Sequence, residues 1–459
     1  MHTDGCGIVP KTKRGVASSA MSQISLRTAT LLVVASMVGT GIFTTTGLLA
    51  RDLSSGWLIL LTWLIGGGLA LCGGLAYAEL CARYPRNGGE YWLLGRVYHP
   101  ALGFIAGIVS IFVGFAATIA VSAAAFAKYA ERIFPEIPHV IMALGLVIGV
   151  TMVHSLKTAR ASVFQDLATL GRYVLTAVVA MIAIVLSLGH GTDAWLTGPS
   201  TDAFSAPSFA VGLIWVAYAY SGWNAAAYIV DDVRLPHYTV PRALLYGTAM
   251  VTVLYALVNV AYLTAVPRAQ LAGVIEVAHV VAEALGGPWA GKLISIVIAF
   301  GLVSTAGAYT MVGVRIYHVM AADYPKLRWM APLPFKGHAS MRALWIQAGL
   351  ASLLLVSASF ETLLTYVGFM LSVFSALAVF GVFVARRANP SVIPSYLTWG
   401  YPFTPIVFLA FNLWMVVYAA IEKPLVAGAG VAILIAGALL YRAVAPRPGS
   451  ETSPTHKSI

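Results

Sequence analysis

The chain has 459 residues, of which 59% are hydrophobic and only 10% charged. Soluble domains carry about 25% charged residues, so this composition excludes an ordinary soluble fold. The net charge of +11 does not mark a nucleic-acid binder, because the basic residues are concentrated in alternate loops between apolar stretches.

Those stretches, each of ~20 residues, recur along the chain and read as an all-α polytopic membrane protein. Twelve transmembrane helices are predicted, at about 28–50, 57–80, 98–127, 137–155, 161–188, 208–230, 241–266, 287–320, 343–359, 361–385, 400–421 and 424–444. The alternation of a transmembrane β-barrel is absent. Residues 1–27 form a polar, basic tail without a cleavable signal design, so the first span is expected to serve as the anchor.

Span 1 is interrupted by VGTGIF, Val38 to Phe43. Gly39 and Gly41 flank Thr40 near the bilayer centre, and each glycine weakens the helix by ~1 kcal/mol. A span is broken at this depth only where the loosened backbone lines a cavity or is buried in protein. The break bares N–H groups at the start of the following half-helix, which suit a carboxylate, and the Thr40 hydroxyl can add a donor. The preceding half-helix ends near Met37 with carbonyls that suit an ammonium. A zwitterionic α-amino acid needs both.

Span 2 is rich in glycine, which reads as close helix packing. At its end Glu79 and Arg83 stand four apart and are expected to pair or to latch a gate. Ala116, Ala117, Ile119 and Ala120 of span 3 are candidates for an apolar pocket wall. His154, at the end of span 4, reads as interfacial. Arg172 of span 5 lies about 18 Å from the inner surface at 1.5 Å per residue. An intramembrane cation at the midplane marks a functional site.

Span 6 carries a second interruption, YSGWN, Tyr220 to Asn224. Ser221 and Gly222 loosen the helix and free carbonyls near Tyr218 and Ser221. Tyr218, Tyr220 and Trp223 crowd the break as gate candidates, and Asn224 at this depth needs a hydrogen-bond partner. Asp231 and Asp232 end the span and are expected to meet basic loops. Two broken helices in corresponding places of two halves point to the binding site of a secondary transporter. The halves are residues 28–188, spans 1–5, and 208–385, spans 6–10; they form a 5+5 inverted repeat. Spans 11 and 12, residues 400–444, and a Pro/Ser-rich tail, 445–459, follow.

With both termini inside, the inner loops and tails hold 21 of the 28 Lys and Arg. This positive-inside bias predicts a multi-pass protein of the cell membrane with cytoplasmic termini. The densest basic loop, Arg315 to Arg342, fits topology and contact with anionic lipid. The three cysteines, Cys6, Cys72 and Cys81, offer no outer disulfide and no ligand spacing, so no metal and no cofactor are expected.

These strings resemble the amino acid–polyamine–organocation superfamily, and within it the L-type amino-acid transporters. The resemblance covers nearly all of residues 25–420. It rests on VGTGIF, on GLAYAELCARYPRNGGEY (Gly74 to Tyr91), on FQDLATLGRY (Phe164 to Tyr173) and on AYSGWN with DDVRLPHYTVPRA (Asp231 to Ala243). ARRANP (Ala385 to Pro390) and GYPFTP (Gly400 to Pro405) complete it. It implies the five-plus-five inverted repeat with two extra helices. It also implies a substrate carboxylate on Thr40 and Gly41 and an amino group on carbonyls of Met37, Tyr218 and Ser221, with Tyr218 as gating aromatic. The broader substrate-binding set is Met37, Val38, Gly39, Thr40, Gly41, Tyr218, Ser221, Gly222, Trp223 and Asn224.

The resemblance further aligns Arg172 with a lysine that takes the place of a sodium ion between spans 1 and 8. The guanidinium would tie span 1 to span 8 near Ser304, Thr305 or Thr310. Arginine keeps its proton, so sodium-independent exchange or facilitated transport is expected rather than proton symport. The relatives' serine is here Thr40, whose methyl narrows the site. Residues 128–139 lack the cysteine through which mammalian members join an ancillary chain, so no disulfide-linked partner is expected, and the protein acts as monomer or homodimer. The predicted function is alternating-access transport of neutral L-amino acids. A proton-coupled symporter, or a polyamine or cationic amino-acid exchanger of the same fold, is the alternative. A membrane-embedded enzyme lacks the convergent side chains it would need.

Overall fold

Ser25 starts the first helix: its hydroxyl accepts from the Thr28 N–H at 3.3 Å, a favoured N-cap. The computed structural model describes residues 24–86, 88–155, 185, 204–228, 230, 233–330, 340–388, 390–391 and 394–445. Helix α1 (Leu26–Met37) stops there; Val38 is extended (φ −71°, ψ 97°), Gly39 is non-helical, and α2 (Thr40–Asp52) resumes the path. Next come α3 (Gly56–Arg83), α4 (Gly89–Val97), α5 (Pro100–Val109), a π-helical stretch Ser110–Ala117, α6 (Thr118–Glu131) and α7 (His139–Ser155). The second half begins with α8 (Ala206–Ala219), a 3₁₀ turn Ala225–Tyr228, and α9 (Pro236–Ala265). After α10 (Val277–Asp323) come α11 (Met341–Ser357), α12 (Phe360–Ala388), α13 (Phe403–Glu422) and α14 (Pro424–Val444).

Among the described residues, eight helical stretches are long and apolar enough to cross a membrane, with α1 and α2 counted as one and α5 to α6 as another. The shorter apolar helices are α7, α8 and α11. The predicted fifth span, with Arg172, lies outside the described residues, as do Asp231 and Asp232. Among the described residues there is no strand, only an isolated bridge between Ile24 and Val233.

Two spans are preceded by a separate helical piece. Span 3 is preceded by a separate helix, α4, because Pro100 at the first turn of α5 fixes a new start. His99 caps it through Nδ1, accepting from the Ala101 N–H at 3.1 Å. Within Val277–Asp323 the backbone leaves helical geometry at Gly287 (φ 76°, ψ −178°), so a separate helical piece from Val277 precedes the predicted span 8, which starts at that break, where Pro288 supplies no N–H.

The helices form two packed groups. Helix α9 lies against α1 and α3; α6 lies against α7 and α10, with α11 behind α7. Helices α8 and α12 join the groups, α8 to α2 and α12 to α6. Membrane helices associate through close van der Waals packing rather than expulsion of water. Gly41 shows it: a Cβ there would lie 2.4 Å from the Ala219 Cα, so α2 and α8 nearly touch. The outer faces carry large apolar side chains for lipid, as at Val253, Leu413 and Leu425.

Candidate functional site

The two interruptions meet. Gly222, at φ +101°, comes so close to α1 that a Cβ there would lie 2.5 Å from the Ser36 carbonyl oxygen. Only glycine fits this left-handed geometry and this gap without strain. A small hollow lies between the breaks. It is lined by Met37, Gly39, Thr40, Gly41, Tyr218, Ala219, Ser221, Thr305 and Tyr309.

Donors and acceptors are arranged around it. Helix α2 begins without a side-chain cap, so its first N–H groups and the positive end of its dipole face an open site. The Thr40 and Ser122 hydroxyls stand 3.0 Å apart, and the Tyr218 hydroxyl reaches both. On the opposite side two helices end: α1 at Met37 and α8 at Ala219. The Tyr255 hydroxyl of α9 donates to both terminal carbonyls, at 2.7 Å and 3.0 Å. Tyr129 fixes the following turn of α2 by donating to the Phe43 carbonyl at 2.8 Å.

A second, larger hollow lies on the other side of the YSGWN turn and meets the first at Ser221. Leu69, Leu213, Leu371, Phe408 and Met415 give it apolar walls; Ser221, Asn224, Ser372, Ser375 and Asn412 give it polar points. Trp223 stands edge-on to Tyr77, ring centroids 4.7 Å apart. Asn224 donates its amide to the Glu90 carboxylate, which also accepts from the Tyr77 hydroxyl at 2.8 Å.

Two clusters close the ends. Glu79, fully buried, accepts from Arg83 at 3.0 Å, from Arg386 at 2.9 and 2.6 Å, and from the Thr398 N–H and hydroxyl at 2.8 and 2.7 Å. It ties α3 to the end of α12 and the segment beyond. At the far end Arg51 pairs with Glu361 at 2.8 Å, and Lys423 with Glu361 at 2.9 Å. Arg132 pairs with Glu276.

Of the residues named from sequence, Met37, Gly39, Thr40, Gly41, Tyr218 and Ser221 line the smaller hollow; Ser221, Gly222, Trp223 and Asn224 line the larger. Val38 is fully buried in the core and lines neither. The Tyr218 carbonyl accepts from the Ser221 N–H at 2.8 Å as the helix tightens into a turn, and the Ala219 carbonyl adds a helix-end acceptor that the sequence reading did not name. Ala116 and Ile119 are not pocket wall but pack toward α7 and α11, since the π-helical stretch before them rotates the face. Sequence reading passed over Ser122, Tyr255, Tyr309 and Glu90. The available signal was a polar side chain within an apolar run, strongest for Tyr255 and Asn259, four apart on α9 and bonded Nδ2 to carbonyl at 2.8 Å.

The serine/threonine exchanger SteT of Bacillus subtilis is 27% identical over 98% of this chain and the whole length of that protein. The human large neutral amino acids transporter small subunit 2 is 27% identical over 91% of this chain and 79% of its own length. The mouse Asc-type amino acid transporter 1 is 25% identical over 91% and 80% respectively. The amino acid permease family model matches residues 24–441. With that match over helices α1 to α14, the chain belongs to the amino acid permease family.

Proposed function

We propose that this chain is a sodium-independent secondary transporter that exchanges or facilitates neutral L-amino acids by alternating access. One observation carries the reading: an uncapped helix start at Thr40 faces two helix ends, at Met37 and Ala219, across a hollow. A carboxylate binds at the helix start, where N–H groups and the dipole favour an anion. The ammonium binds on the second lone pairs of the Met37 and Ala219 carbonyls and on the Ser221 carbonyl. Thr40 and Ser122 supply hydroxyls to the carboxylate. Tyr218 closes over the bound zwitterion, and the side chain passes Ser221 into the larger, largely apolar hollow.

Twelve spans in a 5+5 inverted repeat with broken helices 1 and 6, plus two C-terminal helices, complete the architecture. The termini are cytoplasmic, by the positive-inside bias. Arg172, outside the described residues, takes the place of a sodium ion between spans 1 and 8 in this reading. The protein works as monomer or homodimer without a disulfide-linked partner, since residues 128–139 contain no cysteine.

Uptake into proteoliposomes, with and without internal amino acid and with sodium and pH varied independently, tests the reading. Uptake stimulated by internal amino acid and indifferent to sodium supports it. Uptake that requires a sodium gradient overturns it.

A further inference from the structure

Glu90 sits on the first turn of α4, outside both hollows and 6% exposed. Its Oε1 accepts from the Tyr77 hydroxyl and from Asn224 Nδ2. A carboxyl oxygen in this position only accepts, so it dictates which end of the Asn224 amide it meets. One Nδ2 proton is committed to Glu90, which leaves Oδ1 as the acceptor that Asn224 offers to the larger hollow it lines. Ser372 lines the same hollow; it is 4% exposed, and its hydroxyl has no hydrogen-bond partner among the described residues. An unpaired buried hydroxyl is costly to leave so. Between them, Asn224 and Ser372 place an oriented acceptor and a rotatable hydroxyl in the lining of a hollow that is largely apolar. A ligand hydroxyl satisfies both at once, giving its proton to Oδ1 and accepting from Ser372. An aliphatic ligand satisfies neither.

We propose that Glu90 is a positioning residue that locks Asn224 with its carbonyl oxygen toward the larger hollow, so that this chain prefers amino acids whose side chain bears a hydroxyl, as in threonine and serine. The proposal rests on the transport reading above, in which the substrate side chain enters that hollow.

Threonine and valine have nearly the same shape and differ by the hydroxyl, so their uptake ratio into proteoliposomes isolates this contact. The purified protein is expected to prefer threonine by roughly threefold to tenfold in kcat/KM, the range of one net hydrogen bond. Glu90→Met, which removes the acceptor, brings the ratio close to one, chiefly through the KM for threonine. Glu90→Gln, which keeps an acceptor oxygen, retains the preference. Asn224→Ala also loses it, and adding Glu90→Met to that variant moves the ratio no further. Asn224→Ala decides the matter should Glu90→Met fail to reach the membrane. Equal losses for both amino acids, or a ratio unmoved in Asn224→Ala, overturns the specificity role while leaving transport standing. A wild-type protein that carries neither amino acid overturns the transport reading itself.

Discussion

The Tyr255 hydroxyl donates to the carbonyl oxygen of Met37 at 2.7 Å, and the same hydroxyl reaches the Ala219 carbonyl. A side chain of α9 thus holds the ends of both broken helices at one point. That point is where the ammonium is proposed to bind, so Tyr255 sets the spacing of the two acceptors before substrate arrives. Tyr255→Phe keeps the packing against Trp63, centroids 5.1 Å apart, and removes only the donor. The KM for neutral amino acids is expected to rise roughly threefold to tenfold, the worth of one hydrogen bond. An unchanged KM would deny the carbonyl pair its role.

Glycine at the crossing points is required by space. Gly222→Ala places a methyl 2.5 Å from the Ser36 carbonyl at a positive φ, with strain of about 1–3 kcal/mol. Gly41→Ala meets the Ala219 backbone at 2.4 Å. Both variants are expected to lose most transport and to melt earlier in detergent. Gly68→Ala, with nothing within 4 Å of the new methyl, serves as control and melts no lower than the parent.

The two charge clusters differ in burial, and so in worth. Glu79 is fully buried beside Arg83 and Arg386. Glu79→Ala removes the buried carboxylate that both cations share, at a cost of about 3–5 kcal/mol. Arg51 is 41% exposed in its pair with Glu361, so Arg51→Ala is expected to cost at most about 1 kcal/mol. Melting curves should rank them so, with the smaller effect vanishing in high salt. Equal shifts would mean that the α3–α12 clamp is no more than a surface pair.

Arg172 provides a test of coupling. In the proposed role its fixed charge makes uptake insensitive to pH through this residue. Arg172→Lys introduces a cation that can lose its proton when buried. Uptake by the variant is expected to acquire a pH dependence that the parent lacks. An identical rate and pH profile would remove Arg172 from the coupling scheme.

The sequence made the broken helices legible because glycine pairs in an apolar run have few other uses. VGTGIF and YSGWN name the hollow's walls within a residue or two, and the helical class follows from hydropathy alone. What it did not reveal depends on rotation about a helix axis. The π-helical stretch Ser110–Ala117 turns Ala116 and Ile119 away from the site, and no local signal marks that extra residue per turn. Likewise Ser122 and Tyr255 are distant in sequence from the breaks they serve, 82 residues from Thr40 and 218 from Met37. Glu90 stood in a quoted motif, yet its partner Asn224 is 134 residues away. Side-chain partners across that separation are fixed by packing, which hydropathy does not encode.

The central claim is that main-chain groups at two helix breaks hold both charges of an amino acid. Competition against labelled valine in proteoliposomes tests it most directly, using isobutylamine, which lacks the carboxylate, and isovalerate, which lacks the ammonium. The account predicts that neither competes at a hundredfold excess over the valine concentration that does. Isobutylamine competing as well as valine would contradict it, since the N–H groups at Thr40 and Gly41 would then have no anion to hold.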